Sequence, residues 1–184
     1  KTTFSRIFLA FSVIFLAAML LVGISFQWLT RSFLEGRTID ALKNNCSAIS
    51  KVTAAYCTGE GLSDRDFFIN LSVAAETSQA DIVICDKNGK LGICSDAPLG
   101  CEHQGLSITN QDFLEQVLSQ DYVVREGLVQ GLYDEPRYVV SSTVRDPYSN
   151  EIYGIIMVST PTAATEQVLK RLSDTYLFVS VLVL

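Results

Sequence analysis

Apolar positions fall along this chain in three rhythms, and each rhythm predicts a different kind of element. Residues 7–28 read IFLAFSVIFLAAMLLVGISFQW, interrupted only by Ser12, Gly23, Ser25 and Gln27 and carrying no charge. At about 1.5 Å per residue such a run extends roughly 33 Å as a helix, enough to cross a hydrocarbon core of about 30 Å. It predicts a transmembrane helix over 7–30, with Trp28 at the interface. A cleaved signal peptide is the competing reading, since Lys1 and Arg6 precede the run and Gly23-Ile24-Ser25 is a weak small-residue cleavage site; against it, the run exceeds the usual apolar region of about 7 to 15 residues. A second apolar run, YLFVSVLVL at 176–184, is too short to cross a bilayer and reads as the start of a second span over 175–184. Residues 31–174 lie between and are long enough for one domain.

The second rhythm is helical. Ile39, Leu42, Cys46, Ile49, Thr53 and Tyr56 recur at steps of three and four with no proline among them, so the membrane helix is expected to run on as one rod to about residue 56. The stripe fits either packing on its own domain or a seam between two copies, and Cys46 on it is the candidate for an intermolecular pair. A turn at 57–63, with Ser63 as cap, precedes a second helix over 64–77. Asn110 reads as the N-cap of a third helix, QDFLEQVLSQ. From Pro161 helical spacing returns through Val168, Leu172, Tyr176 and Val179 into the last apolar run.

The third rhythm is that of strands. DIVICD at 81–86 is β-branched, and Asn88-Gly89 before the run at 91–95 is a hairpin turn, because both central residues tolerate positive φ. Residues 96–109 show no periodicity and form a loop. Strands are expected over 122–129, 137–145 and 152–160, separated by turns at 131–136 and 146–150. The soluble part is therefore an α+β domain with a central antiparallel five-stranded sheet.

Charge narrows the partners. All 20 acidic residues lie in the middle region of a chain whose formal net charge is −6, and no Lys/Arg cluster occurs. Nucleic acid is thereby disfavoured, because phosphate contacts need a basic patch. Basic residues flank the first span on both sides, so they do not orient it. The five cysteines fit an oxidising exterior.

No P-loop, HExxH or GxSxG is present, and no catalytic set is recognisable. Cys94, Cys101 and His103 form C-x6-C-x-H, a spacing that matches no standard structural zinc site and needs a fourth ligand from elsewhere. A Cys94–Cys101 disulfide stapling the loop is the favoured reading, and neither metal nor cofactor is expected. Cys46 and Cys57 would lie roughly 16 Å apart along a helix and should not pair, while Cys85 reads as a small buried hydrophobe.

The turn DIVICDKNGK, the strand RYVVSSTVRD and the closing NEIYGIIMVST, in that order, resemble the extracytoplasmic Cache (PAS-like) sensor domain of bacterial two-span receptors. The resemblance covers residues 31–171. It implies a cell-membrane protein with its central domain outside the cytoplasm, working as a homodimer and passing a signal through its membrane helices. A two-component histidine kinase is the leading output, with a chemoreceptor, a cyclic-dinucleotide enzyme or a non-catalytic envelope scaffold as alternatives. It also implies a site for a small-molecule ligand, or a surface for a partner protein, between one sheet face and residues 95–120. Strand alternation puts Arg137, Val139, Ser141 and Thr143 on one face, and the polar members of that set, with Ser95 and Tyr122, are the expected ligand contacts; an exposed strand face is the alternative. The di- and tricarboxylate sensors of the family carry an arginine and a histidine on the second hairpin strand, where this chain has Leu91-Gly-Ile-Cys-Ser-Asp. That departure counts against a carboxylate ligand of that kind.

Overall fold

In the computed structural model, residues 3–59, 65–95, 101, 103, 105–129 and 132–183 are described. The Ser63 cap and parts of the loops at 96–109 and 131–136 lie outside them. Four helices and five strands follow one another: α1 Thr3–Thr58, α2 Arg65–Ser78, β1 Asp81–Cys85, β2 Leu91–Cys94, α3 Gln111–Ser119, β3 Val123–Gly127, β4 Arg137–Arg145, β5 Ile152–Pro161 and α4 Thr162–Val183. The expected α+β class is observed. The strands form one sheet in the order β2-β1-β5-β4-β3, and every neighbouring pair is antiparallel.

The chain divides into two compact units, one of residues 1–36 and 164–184 and one of residues 37–163. In the first, Gly23 of α1 lies under Tyr176 of α4. A Cβ added there would meet the ring at 2.6 Å, so glycine is what allows the close approach. Tyr176 donates its hydroxyl to the Met19 carbonyl at 2.6 Å and stacks on Phe26 at 6.4 Å between centroids, and Gln27 Nε2 donates to Ser173 Oγ at 2.7 Å. Phe4, Phe8, Phe11, Leu20, Leu21 and Trp28 are exposed. Among the described residues α1 is the one helix with a stretch long and apolar enough to cross a membrane.

The second unit is a three-layer stack. Alternation along the strands sends Ile82, Ile84, Tyr138, Val140, Val144, Ile156 and Val158 to one face, where they pack with Leu42, Cys46 and Ile49 of α1 and Phe67 and Leu71 of α2. The helical stripe of α1 thus belongs to its own domain core. Cys46, wholly buried there, is not on a seam between copies, which corrects its candidacy for an intermolecular pair. Val83, Cys85, Val139, Ile155 and Met157 face the other way, onto Phe113, Leu114 and Val117 of α3. Strand β4 is covered on both faces and is buried from Arg137 to Val144. The hairpin turn is closed by Asp86, whose carboxylate accepts from the backbone N–H of Asn88 and of Lys90, both at 2.9 Å, with Gly89 at φ +80°.

Candidate functional site

Among the described residues, the main cavities bring together two of the five residues expected to contact a ligand. Ser95, at the end of β2, uses its Oγ to accept from the Ile82 N–H at 3.0 Å, and its carbonyl accepts from Ser72 of α2 at 3.3 Å. Its role there is to close the end of the β1–β2 hairpin. Arg137, the first residue of β4, is buried and ion-paired with Asp81 and with Glu135 at 2.6 Å. Its Nε donates to Ser159 Oγ at 3.1 Å, and its guanidinium lies 4.2 Å from the centre of the Tyr133 ring. Burial pushes the Tyr133 phenol up to about 12, outweighing the Ser159 hydroxyl and the Arg137 charge, which pull it down. Ser141 lies further along β4, wholly buried, and its hydroxyl has no hydrogen-bond partner among the described residues.

Tyr122 and Thr143 do come together, at the opposite end of β4 from Arg137. They line a cleft of about 610 Å³ with Ser50, Lys51, Asp121 and Arg145. That volume lies within the range of about 300 to 1,000 Å³ usual for small-molecule sites. Two hydrogen bonds hold Thr143 there: the Ser50 hydroxyl of α1 donates to its carbonyl at 3.2 Å, and Arg145 Nε donates to its Oγ1 at 3.0 Å. The cleft offers two cations, Lys51 and Arg145, one carboxylate, Asp121, and several hydroxyls. Sequence reasoning missed Lys51, Asp121 and Arg145. Only the end of β4 and the start of β3 hinted at them, and a site shared with the last turns of α1 is not visible before the tertiary structure is known. Two smaller cavities occur, one of about 210 Å³ between α1, β1, β2 and β5 and one of about 90 Å³ beside α3 and β3. On the face under α3, where the ligand was expected, Phe113, Leu114 and Val117 pack on Val83, Val139 and Met157, and part of the loop expected to border the ligand lies outside the described residues.

The two thiols expected to pair are not bonded in this structure, in which no cysteine forms a disulfide. Cys94 Sγ, Cys101 Sγ and a ring nitrogen of His103 instead lie within 4.8 Å of one another.

No protein-family model matches the chain, and no curated protein matches it. Solved structures do. The sensor domain of the V. cholerae histidine kinase DctB aligns over 80% of this chain and 58% of its own length, with a TM-score of 0.62 and 21% identity. The ligand-binding domain of the Campylobacter jejuni chemoreceptor Tlp3, solved with 4-methylisoleucine, aligns over 80% and 60%, with a TM-score of 0.57 and 16% identity. That of the Pseudomonas aeruginosa amino-acid chemoreceptor PctC, solved with GABA, aligns over 80% and 64%, with a TM-score of 0.54 and 14% identity. The chain thus spans less than two thirds of the length of each. Its fold is that of the Cache (PAS-like) sensor domains.

Proposed function

We propose that this chain is the sensory input of a membrane receptor, held outside the cytoplasm by α1 and a second span beginning in α4, and that it binds a small zwitterionic or anionic metabolite in the cleft at the end of β4. The observation that carries the site is the meeting of Lys51, Arg145 and Asp121 around a cleft of small-molecule size. A carboxylate would be held by Lys51 and Arg145 and an ammonium group by Asp121, with the Tyr122 hydroxyl, and the Ser50 and Ser142 oxygens as acceptors, orienting the remainder. The ligands of the similar chemoreceptor domains, an isoleucine analogue and GABA, have this charge pattern. Binding drives output only as far as the ligand prefers one of two packings of the domain. A histidine kinase is the output we favour, because the DctB sensor domain carries the highest of these TM-scores; the chemoreceptor likeness keeps a chemotaxis output as the second reading.

The test is thermal denaturation of the full chain in detergent micelles against a panel of amino acids and small carboxylates. One class should raise the melting temperature. Arg145→Gln and Lys51→Ala should each weaken binding by about 10- to 100-fold, the loss expected for one charge-assisted hydrogen bond. A stabilisation that survives both changes but disappears in Ser141→Ala would move the site to the face under α3. No stabilisation by any member of the panel would sink the small-metabolite reading and favour a protein partner.

A further inference from the structure

Cys94, Cys101 and His103 form the densest cluster of metal-ligating atoms among the described residues, and the cleft makes no use of it. Cys94 is held from below by the sheet. It is the last residue of β2, paired with Val83 of β1, and it is buried. Cys101 and His103 come from the loop above and are half-buried. The His103 ring packs on Tyr133 at 5.4 Å between centroids, and its carbonyl accepts from the Leu106 N–H at 3.1 Å. Both the ring and its backbone are therefore positioned by contacts other than the cluster.

Distances decide what the cluster can hold. Cys94 Sγ lies 3.8 Å from His103 Nδ1, and all three ligand atoms fall within 4.8 Å. Tetrahedral zinc, with bonds of about 2.3 Å to sulfur and about 2.0 Å to nitrogen, places its ligands roughly 3.5 to 3.8 Å apart. Closing the widest pair by about 1 Å would complete that geometry. Two sulfurs and one imidazole suit a borderline-soft dication and discriminate against calcium and magnesium, which take oxygen.

We propose that Cys94, Cys101 and His103 bind a borderline-soft divalent cation, zinc above all, with the fourth coordination position open to solvent or to a small ligand. On binding, each thiol releases its proton to solvent and the two thiolates balance the charge of the ion. The site stands independently of the cleft. It adjoins the Arg137 cluster, because the Tyr133 ring touches both His103 and the Arg137 guanidinium.

Cobalt is the probe that reads this directly. The full chain, reduced with a phosphine and stripped with a chelator, is titrated with Co2+ in detergent micelles. One equivalent should produce thiolate-to-cobalt charge-transfer absorption and the visible bands of tetrahedral cobalt, and Zn2+ should abolish both. His103→Ala should weaken binding at least tenfold, and the double variant Cys94→Ser, Cys101→Ser should lose the charge-transfer bands. Cys57→Ser should change nothing. Unaltered helical circular dichroism in His103→Ala guards against reading misfolding as lost affinity. Absence of the bands in the wild-type chain, or their persistence in the double serine variant, overturns the proposal.

Discussion

Gly154 faces Val144 across the β4–β5 ladder, and a Cβ built on it would run into the Cys85 carbonyl of β1 on the other side. Backbone atoms cannot step aside as a flexible side chain can, so Gly154→Ala should cost about 1 to 3 kcal/mol, read as a fall in melting temperature by circular dichroism. Asp146 sets the turn that follows β4: its carboxylate accepts from the N–H of Tyr148 at 2.6 Å and of Ser149 at 2.8 Å, and from the Tyr153 hydroxyl. That hydroxyl, and then the two N–H groups, hold the Asp146 carboxyl below its ordinary 3.8, while the Asp146 acceptor raises the Tyr153 phenol to about 12. The signs follow from these directions. The Asp146 contribution is present above pH 3.8 and is lost as pH falls through the lowered folded value; the Tyr153 contribution is present below pH 10 and is lost as pH rises through about 12. The difference in melting temperature between wild type and Tyr153→Phe should therefore be constant around neutrality and shrink at both extremes. Burial also pushes the Cys46 and Cys85 thiols up to about 12, so both should stay unmodified when the native chain meets a thiol reagent at pH 8 and react once it is unfolded. At this scale alternation along β4 was legible, since Val139 and Val140 do face opposite layers. What covers each face was not. Arg137 is taken up by its ion pairs, and the hydroxyls that line a cavity sit at the other end of the same strand.

Elements were legible wherever punctuation was strong. Strand β4 begins and ends where Pro136 and the Asp146-Pro147 pair require, and α3 starts after Asn110, whose Oδ1 accepts from the Phe113 N–H at 3.0 Å. Removing that cap with Asn110→Ala should cost about 1 kcal/mol, measurable as a lower denaturant midpoint with an unchanged slope. The long helix shows what periodicity cannot decide. A stripe at steps of three and four says that one face of α1 is covered, and the same spacing serves a domain core or a second copy. Leu42, Cys46, Ile49 and Thr53 prove to be buried against the sheet and α2, so the ambiguity was resolved by the strands, whose apolar residues on that face need a cover. The grouping of Cys94, Cys101 and His103 was legible as a spacing, C-x6-C-x-H, and not as a geometry. That spacing matches no standard site, since Cys94 ends a strand while Cys101 and His103 lie beyond it, and sequence alone does not say that their side-chain atoms come within 4.8 Å of one another.

The molecule as a whole passes between its two units twice, at residues 36–37 and 163–164, each time within a helix. The covalent links between the two units are therefore α1 and α4. Under the receptor function proposed above, a flexible Gly-Ser insertion between Gly36 and Arg37 should leave ligand binding unchanged and abolish ligand-dependent output; retained output would show that α1 is not the transmitter. In the helical unit Gly23→Leu would force a side chain into the Tyr176 ring. Oxidative cross-linking between cysteines placed at Gln27 and Ser173 should fall accordingly, because the helices can no longer approach as closely. The order of the sheet has a consequence of its own. Its outermost strands, β2 and β3, are only four and five residues long, and β3 carries Arg125 and Glu126 before stopping at Gly127. A foreign strand laid along either margin would gain few backbone bonds, and along β3 it would also meet charge. The sheet is thereby protected from growing by recruitment of other chains.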